Sequence, residues 1–239
     1  MINKNIICLL FIIMIYDLSN AQNNSSQELL NSGTEKYVPI DFQGAIQDYN
    51  KAIELDPKNA DAYYNRGDAK SNLEDFHGAI QDFNKAIELD PKNALAYNIR
   101  GNAKMNLNDF HGAIQDYNKA IELDPKDTSA YYNRGLMKSR LKDFHGAIQD
   151  YNKAIELDPI YVDAYNNRGN AKYKLDNYHG AIQDYNKAIE LNPNDDFVYY
   201  FRGNAKYNLK DKKGACLDWS KAGELGDIEA YDLIKKYCN

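Results

Sequence analysis

All four histidines and five of the six arginines of this 239-residue chain, side chains that bind metals and anions, stand in register at a fixed spacing. His77, His111, His145 and His179 are 34 residues apart, as are Arg66, Arg100, Arg134, Arg168 and Arg202. A zinc site needs ligands converging within about 2.1 Å of one ion. Equivalent positions on neighbouring stacked helices lie roughly 8–10 Å apart. The histidine column therefore reads as solvated residues, and no metal or other cofactor is expected. There is no Gly-rich phosphate loop, GxSxG, HExxH, or separate Cys-His or Ser-His-Asp set. The carboxylates of each ELDP run mark unit ends. Active sites are usually single constellations, so this chain is not expected to be an enzyme.

The spacing comes from the whole sequence. GAIQDYNKAIELDP, at Gly44 to Pro57, returns almost unchanged at Gly78, Gly112, Gly146 and Gly180. A period of this length marks units that cannot bury an apolar face alone and must stack on one another. Six units run in register over 26–59, 60–93, 94–127, 128–161, 162–195 and 196–229, and 227–238 begins a seventh that stops after one helix. Within 60–93, Tyr63, Gly67, Ala69 and Leu73 fall at helical spacing, Glu74-Asp75 interrupts, and Phe76, Ala79, Ile80, Phe83, Ala86 and Ile87 resume it. That is a helix pair. Asp90-Pro91 ends the second helix, because proline removes a donor and disfavours helical geometry in the residue before it. Gly67 and Ala79 are small where the two helices must approach closely.

The N-terminus differs. Lys4, the apolar run Ile6 to Ile15, and small residues at Ser19 and Ala21 read as a secretory signal, 1–21, cut after Ala21. The alternative is an uncleaved membrane anchor, although ten apolar residues fall short of the roughly 20 that a spanning helix needs. No later segment is apolar enough to span a membrane. Residues 22–27 (QNNSSQ) read as a short, disordered polar tether. With 29 basic and 35 acidic residues interleaved, no basic patch exists for phosphate backbones, so nucleic acid is not an expected partner. Cys8 leaves with the signal. Cys216 and Cys238 remain, and in an exported protein such a pair can be bridged; otherwise Cys216 is a small core residue and Cys238 a terminal thiol.

The run Tyr63, Gly67, Leu73, Phe76, Ala79, Phe83, Ala86, Pro91 resembles the tetratricopeptide repeat, and the match recurs through 26–229. The resemblance implies an all-α, right-handed α-solenoid of about six units with a C-terminal capping helix. Two departures recur: the five arginines stand where the family usually has leucine, and Lys70, Lys104, Lys138, Lys172 and Lys206 where it usually has an aromatic residue. A guanidinium at a leucine's site is partly buried and needs a planar acceptor. Each second helix offers one in Asp48, Asp82, Asp116, Asp150, Asp184 or Asp218. The expectation is an Arg–Asp ladder of open register. Within units, Arg66 meets Asp82 and Asp48 is left over; between units, Arg66 meets Asp48 and Asp218 is left over. An anion-binding stripe is the other use of these arginines. The end units are irregular: Ser32 replaces the arginine in the first, and Lys212 and Gly226-Asp227 replace Phe and Asp-Pro in the last.

The resemblance also implies a concave face, lined by the first helix of each unit, that takes an extended peptide or a partner's helix. On it would lie Tyr64, Asp68, Ser71 and Asn72, then Asn98, Asn102, Met105 and Asn106. Tyr132, Leu136, Ser139 and Arg140 follow, then Asn166, Asn170, Tyr173 and Lys174, and last Tyr200, Asn204, Tyr207 and Asn208. Asparagine and tyrosine grip peptide backbones without demanding one sequence. Family members that hold chaperone C-termini use Lys and Asn, then Lys and Arg. Here those places carry Tyr64 and Asp68, then Leu136 and Arg140, so that activity is not expected. The reading is an exported, periplasmic or extracellular bacterial scaffold for protein–protein contacts. A membrane-tethered adaptor or co-chaperone and a non-catalytic enzyme subunit are the alternatives.

Overall fold

A computed structural model describes residues 21–32, 34 and 41–238, and every regular element among them is an α-helix. They are α1 (21–32), α2 (Phe42–Leu55), α3 (Ala60–Asn72), α4 (Phe76–Leu89), α5 (Ala94–Asn106), α6 (Phe110–Leu123), α7 (Thr128–Arg140), α8 (Phe144–Leu157), α9 (Val162–Lys174), α10 (Tyr178–Leu191), α11 (Asp196–Asn208), α12 (Lys212–Leu225) and α13 (Ile228–Tyr237). The chain divides into two compact halves, up to Leu123 and from Asp124. Within each half, consecutive helices pack as pairs. The signal reading, 1–21, falls almost wholly outside the described residues; only Ala21 is described, at the start of α1. The tether reading of 22–27 is corrected: these residues are helical, and Ser26 is buried. Its hydroxyl donates to the Ala52 carbonyl and accepts from the Asn59 amide, so this polar segment packs once its hydrogen bonds are made inside the fold.

In the five pairs from α3 to α12, three residues turn each first helix into its second. After α3, the Glu74 N–H donates to the Ser71 carbonyl and the Asp75 N–H to the Lys70 carbonyl, the pattern that satisfies the last carbonyls of a helix when the next residue turns left-handed. Glu74 does so at φ 63°, and Asn108, Lys142, Asp176 and Lys210 repeat it. Asp75 then serves the following helix, its carboxylate accepting from the Gly78 N–H, an N-cap worth about 1 kcal/mol. One residue thus closes one helix and opens the next.

The pair is drawn together by a glycine facing an aromatic ring. Gly67 faces Phe83, Gly101 faces Tyr117, Gly135 faces Tyr151, Gly169 faces Tyr185 and Gly203 faces Trp219. A methyl group on Gly101 would meet the Tyr117 ring at 2.6 Å. Around these rings alanines complete the core, among them Ala79, Ala86, Ala113, Ala120, Ala147 and Ala154, all essentially without solvent exposure. Burial pushes the hydroxyl pKa of Tyr117, Tyr151 and Tyr185 well up.

Beside each ring sits a buried carboxylate. Asp184 is 3% exposed. It accepts from Nε and Nη2 of Arg168 at 3.0 and 2.6 Å and from Nζ of Lys172 at 2.7 Å. The third guanidinium nitrogen, Nη1, donates to Asn152 of the preceding second helix at 2.7 Å, and the guanidinium lies 5.4 Å from the Tyr165 ring centre. Arg66, Arg100, Arg134 and Arg202 pair in the same way with Asp82, Asp116, Asp150 and Asp218, and Lys70, Lys104, Lys138 and Lys206 contribute the second cation. Pairing is therefore within units, and the anion-binding stripe is corrected: the guanidinium groups are committed to internal carboxylates. Asp48, which this register leaves without an arginine, accepts from the Ser32 hydroxyl at 2.8 Å.

The last unit closes differently. α13 begins after a connection two residues shorter than those before it, with Ala230 seated as Ala62 and Ala96 are, three residues past the N-cap. Ile234 then stands at the arginine position and Ser220 at the asparagine position. Tyr237 packs on Tyr207 and Trp219. A disulfide joins Cys216, at the start of α12, to Cys238, just beyond α13.

Gly101→Ala forces the ring and helix apart and is expected to cost about 1–3 kcal/mol, seen as a lower urea midpoint; an unchanged midpoint would contradict the close approach. Asp184→Ala leaves two cations facing a void and is expected to cost about 3 kcal/mol. A loss of under about 1 kcal/mol in the same melt would mean that the ladder is a surface decoration.

Candidate functional site

The first helices carry the variable face, and the core behind them fixes how their asparagines point. The Tyr185 hydroxyl donates to Asn170 Oδ1 at 2.7 Å, and the Trp219 indole N–H, which can only donate, reaches Asn204 Oδ1 at 3.1 Å. Tyr117 does the same to Asn102 at 2.8 Å. With the oxygens of Asn170 and Asn204 held from below, their NH2 groups are turned toward the outer side of the first helices. Asn208 is held in the opposite sense. Its Nδ2 donates to its own helix at the Asn204 carbonyl and to the Tyr173 hydroxyl, at 2.9 and 3.0 Å, so its Oδ1 is the atom presented.

In the first half, a groove between α3 and α5 is lined by Asp68, Ser71, Asn72, Phe76, Ile99, Asn102, Ala103 and Asn106. In the second half, a groove across α7, α9 and α11 is lined by Leu136, Ser139, Arg140, Asn167, Asn170, Tyr173, Lys174 and Phe201. Its volume, about 290 Å³, lies at the lower end of ligand clefts and has room for a few side chains.

The structure brings Asp68, Ser71, Asn72, Asn102 and Asn106 to the first groove, and Leu136, Ser139, Arg140, Asn170, Tyr173 and Lys174 to the second. It does not bring the others. Asn98 is 3% exposed, too deep to meet a ligand, which corrects its placement on the face. Tyr207 packs on Trp219 and Tyr237 in the capping cluster. Tyr64 packs on Phe83, and Tyr132 on Tyr151 and Tyr161; burial pushes the Tyr132 hydroxyl pKa up to about 12. Asn166 and Asn204 line neither groove, although Asn204 and Asn208 continue the same side of α11. The four histidines lie exposed in the first turns of α4, α6, α8 and α10.

Sequence reasoning missed Ile99, Asn167 and Phe201. The signal was there: α5 and α11 carry apolar pairs four apart, Leu95 with Ile99 and Phe197 with Phe201, where α3, α7 and α9 carry polar residues. Leu95 and Phe197 are 59% and 50% exposed, and the two phenylalanines stack at 4.4 Å. Sequence reasoning also missed the link, at a spacing of 15, between ring and face: Phe83 stands with Asp68, Tyr117 with Asn102, Tyr185 with Asn170 and Trp219 with Asn204. Tyr151 breaks it. Its partner position is Leu136, and the buried Tyr151 hydroxyl makes no full hydrogen bond, only a weaker contact with the Ser139 hydroxyl.

A stack of 34-residue helix pairs whose invariant residues are spent on packing and whose variable residues line grooves defines an α-solenoid of the scaffold class. The chain belongs to the tetratricopeptide repeat family: that repeat matches at 60–93 and 162–195, again at 83–115, and as a TPR repeat at 41–73, 101–142 and 139–176. Among solved structures, a crystal structure of MamA is 30% identical over 66% of this chain and 93% of that one, with a TM-score of 0.65. YrrB, described as a TPR protein with an unusual peptide-binding site, is 25% identical over 77% and 90%, with a TM-score of 0.64. PilF of Pseudomonas aeruginosa shares the fold over 90% and 99%, at 19% identity and a TM-score of 0.76. No curated protein matches the sequence. No helix among the described residues is long and apolar enough to cross a membrane.

Leu136→Asn supplies the acceptor that Tyr151 lacks. It is expected to raise stability by about 1 kcal/mol, read as a higher urea midpoint; a lower midpoint would mean that the orphaned hydroxyl carries no penalty.

Proposed function

We propose that this protein is an exported, non-enzymatic scaffold that holds an extended segment of a partner protein along the outer side of its first helices. The observation that carries this reading is the fixed orientation of the asparagines. Asn170 and Asn204 present donors and Asn208 an acceptor, each held by a bond to a ring or to its own helix. An extended backbone offers carbonyls and N–H groups that such pre-oriented amides can match at low entropic cost. The peptide-binding site named for YrrB supports the same use of the fold. Export rests on the apolar run Ile6 to Ile15 and the small residues before Gln22. That run also favours a second reading, an adaptor tethered by an uncleaved N-terminus. N-terminal sequencing separates them, since a mature chain beginning at Gln22 has no tether.

Photoreactive side chains placed singly at Asn106 and Lys174, on the grooves, and at Gln115 and Gln149, on exposed second-helix positions, test the binding face in native extract. Crosslinks to a common partner are expected from the first two positions and not from the others. Capture only from Gln115 or Gln149 would move the binding face to the second helices.

A further inference from the structure

We infer that the groove of the second half is built for an acidic segment, one in which a bulky apolar side chain is flanked by side-chain carboxylates. This rests on the peptide-binding reading above and specifies its ligand. The two grooves differ in charge. The first includes Asp68 and no cation. The second includes Arg140 and Lys174 and no carboxylate. Among the described residues neither cation makes an ion pair, whereas the lysines and arginines two and six residues earlier on the same helices, Lys138, Arg134, Lys172 and Arg168, are all committed to Asp150 and Asp184. Asn170 adds a third donor, because Tyr185 occupies its oxygen. Between these donors the walls are apolar, from Leu136, Tyr173 and Phe201.

Leu136 is the telling residue. Asparagine at this position satisfies the core phenol or indole in three other units, and leucine leaves the buried Tyr151 hydroxyl with no full hydrogen bond, only a weaker contact with Ser139. A second departure lies beside it. Tyr161 takes the place of the Asn or Asp that caps α3, α5 and α7, and α9 has no side-chain cap. Tyr161 instead stacks on Tyr132 at 4.9 Å, and the Tyr132 hydroxyl accepts from the groove residue Asn167 at 3.0 Å. Each departure weakens the fold by the measure of a lost hydrogen bond or cap. Both add apolar or aromatic surface in or just behind the groove. Local rules broken together around one cavity are what a binding site leaves in a repeat.

The probe is a fluorescein-labelled, C-terminally amidated octapeptide, EDELFEDE, tested by anisotropy on the full mature chain. Its counterpart QNQLFQNQ is tested as the amide and as the free acid. The acidic peptide is expected to bind roughly tenfold or more tighter than the neutral amide, the equivalent of about 1.4 kcal/mol, and the difference should shrink with added salt. The Arg140→Gln/Lys174→Gln double variant, which alters exposed side chains only, should abolish that preference. Leu136→Asn should weaken both amides while raising the unfolding midpoint, a combination that general destabilisation does not produce. Equal binding of acidic and neutral amides, a preference untouched in the double variant, or no binding by any probe would overturn the assignment. So would tighter binding of the neutral free acid, which would place a chain terminus in the groove. None of these outcomes bears on crosslinking from Asn106 and Lys174, which alone decides whether the first-helix face is used.

Discussion

A carboxylate buried in the middle of a helix cannot be left alone, and each unit is arranged around that demand. Removing an aspartate from water costs several kcal/mol unless charge and hydrogen bonds replace its hydration. Asp184 receives a two-pronged contact from Arg168 and a second cation from Lys172. Both come from one face of the first helix, four residues apart, where helical spacing puts them side by side. The arginine then has one nitrogen to spare, and it goes to Asn152 in the preceding second helix. A constraint that begins inside one helix pair thus sets which pair can lie next to it.

This geometry also separates scaffold from site. The second helices bear the aspartate, the aromatic ring and the alanines, so little in them is free to vary. Selection for a ligand can act on the first helices only at positions that neither ring nor carboxylate requires. Where it reaches a required position, as at Leu136, the core shows the damage in an unsatisfied hydroxyl.

Much of the fold was legible because period, helical spacing and the glycine–aromatic approach are written in residue types. The ladder's register was not, since Arg66 has aspartates at equal sequence distance in neither direction but acceptors in both, and only packing decides between Asp82 and Asp48. Lys70 stood out as a departure from the family, yet its role appears only when a second cation is seen to be needed at Asp82. Residues 22–27 are polar without being disordered, because the hydroxyl of Ser26 finds its partners inside. The face was half legible. Helical phase placed Asn72, Asn106 and Lys174 outward, but it also placed Asn98 there, which packing buries, and it gave no sign that Tyr207 would be taken by the cap.

Arginine is missing at both ends of the ladder: Ser32 stands where one would reach backward, and Ser220 and Ile234 stand where the next contact would form. A second copy meeting either end head to tail would find no guanidinium to offer and no amide to receive it. Such heterologous stacking, if it did not close, would grow into fibres. Among the described residues, the guanidinium-to-amide link between neighbouring pairs therefore begins at Arg66 and Asn50 and ends at Arg202 and Asn186.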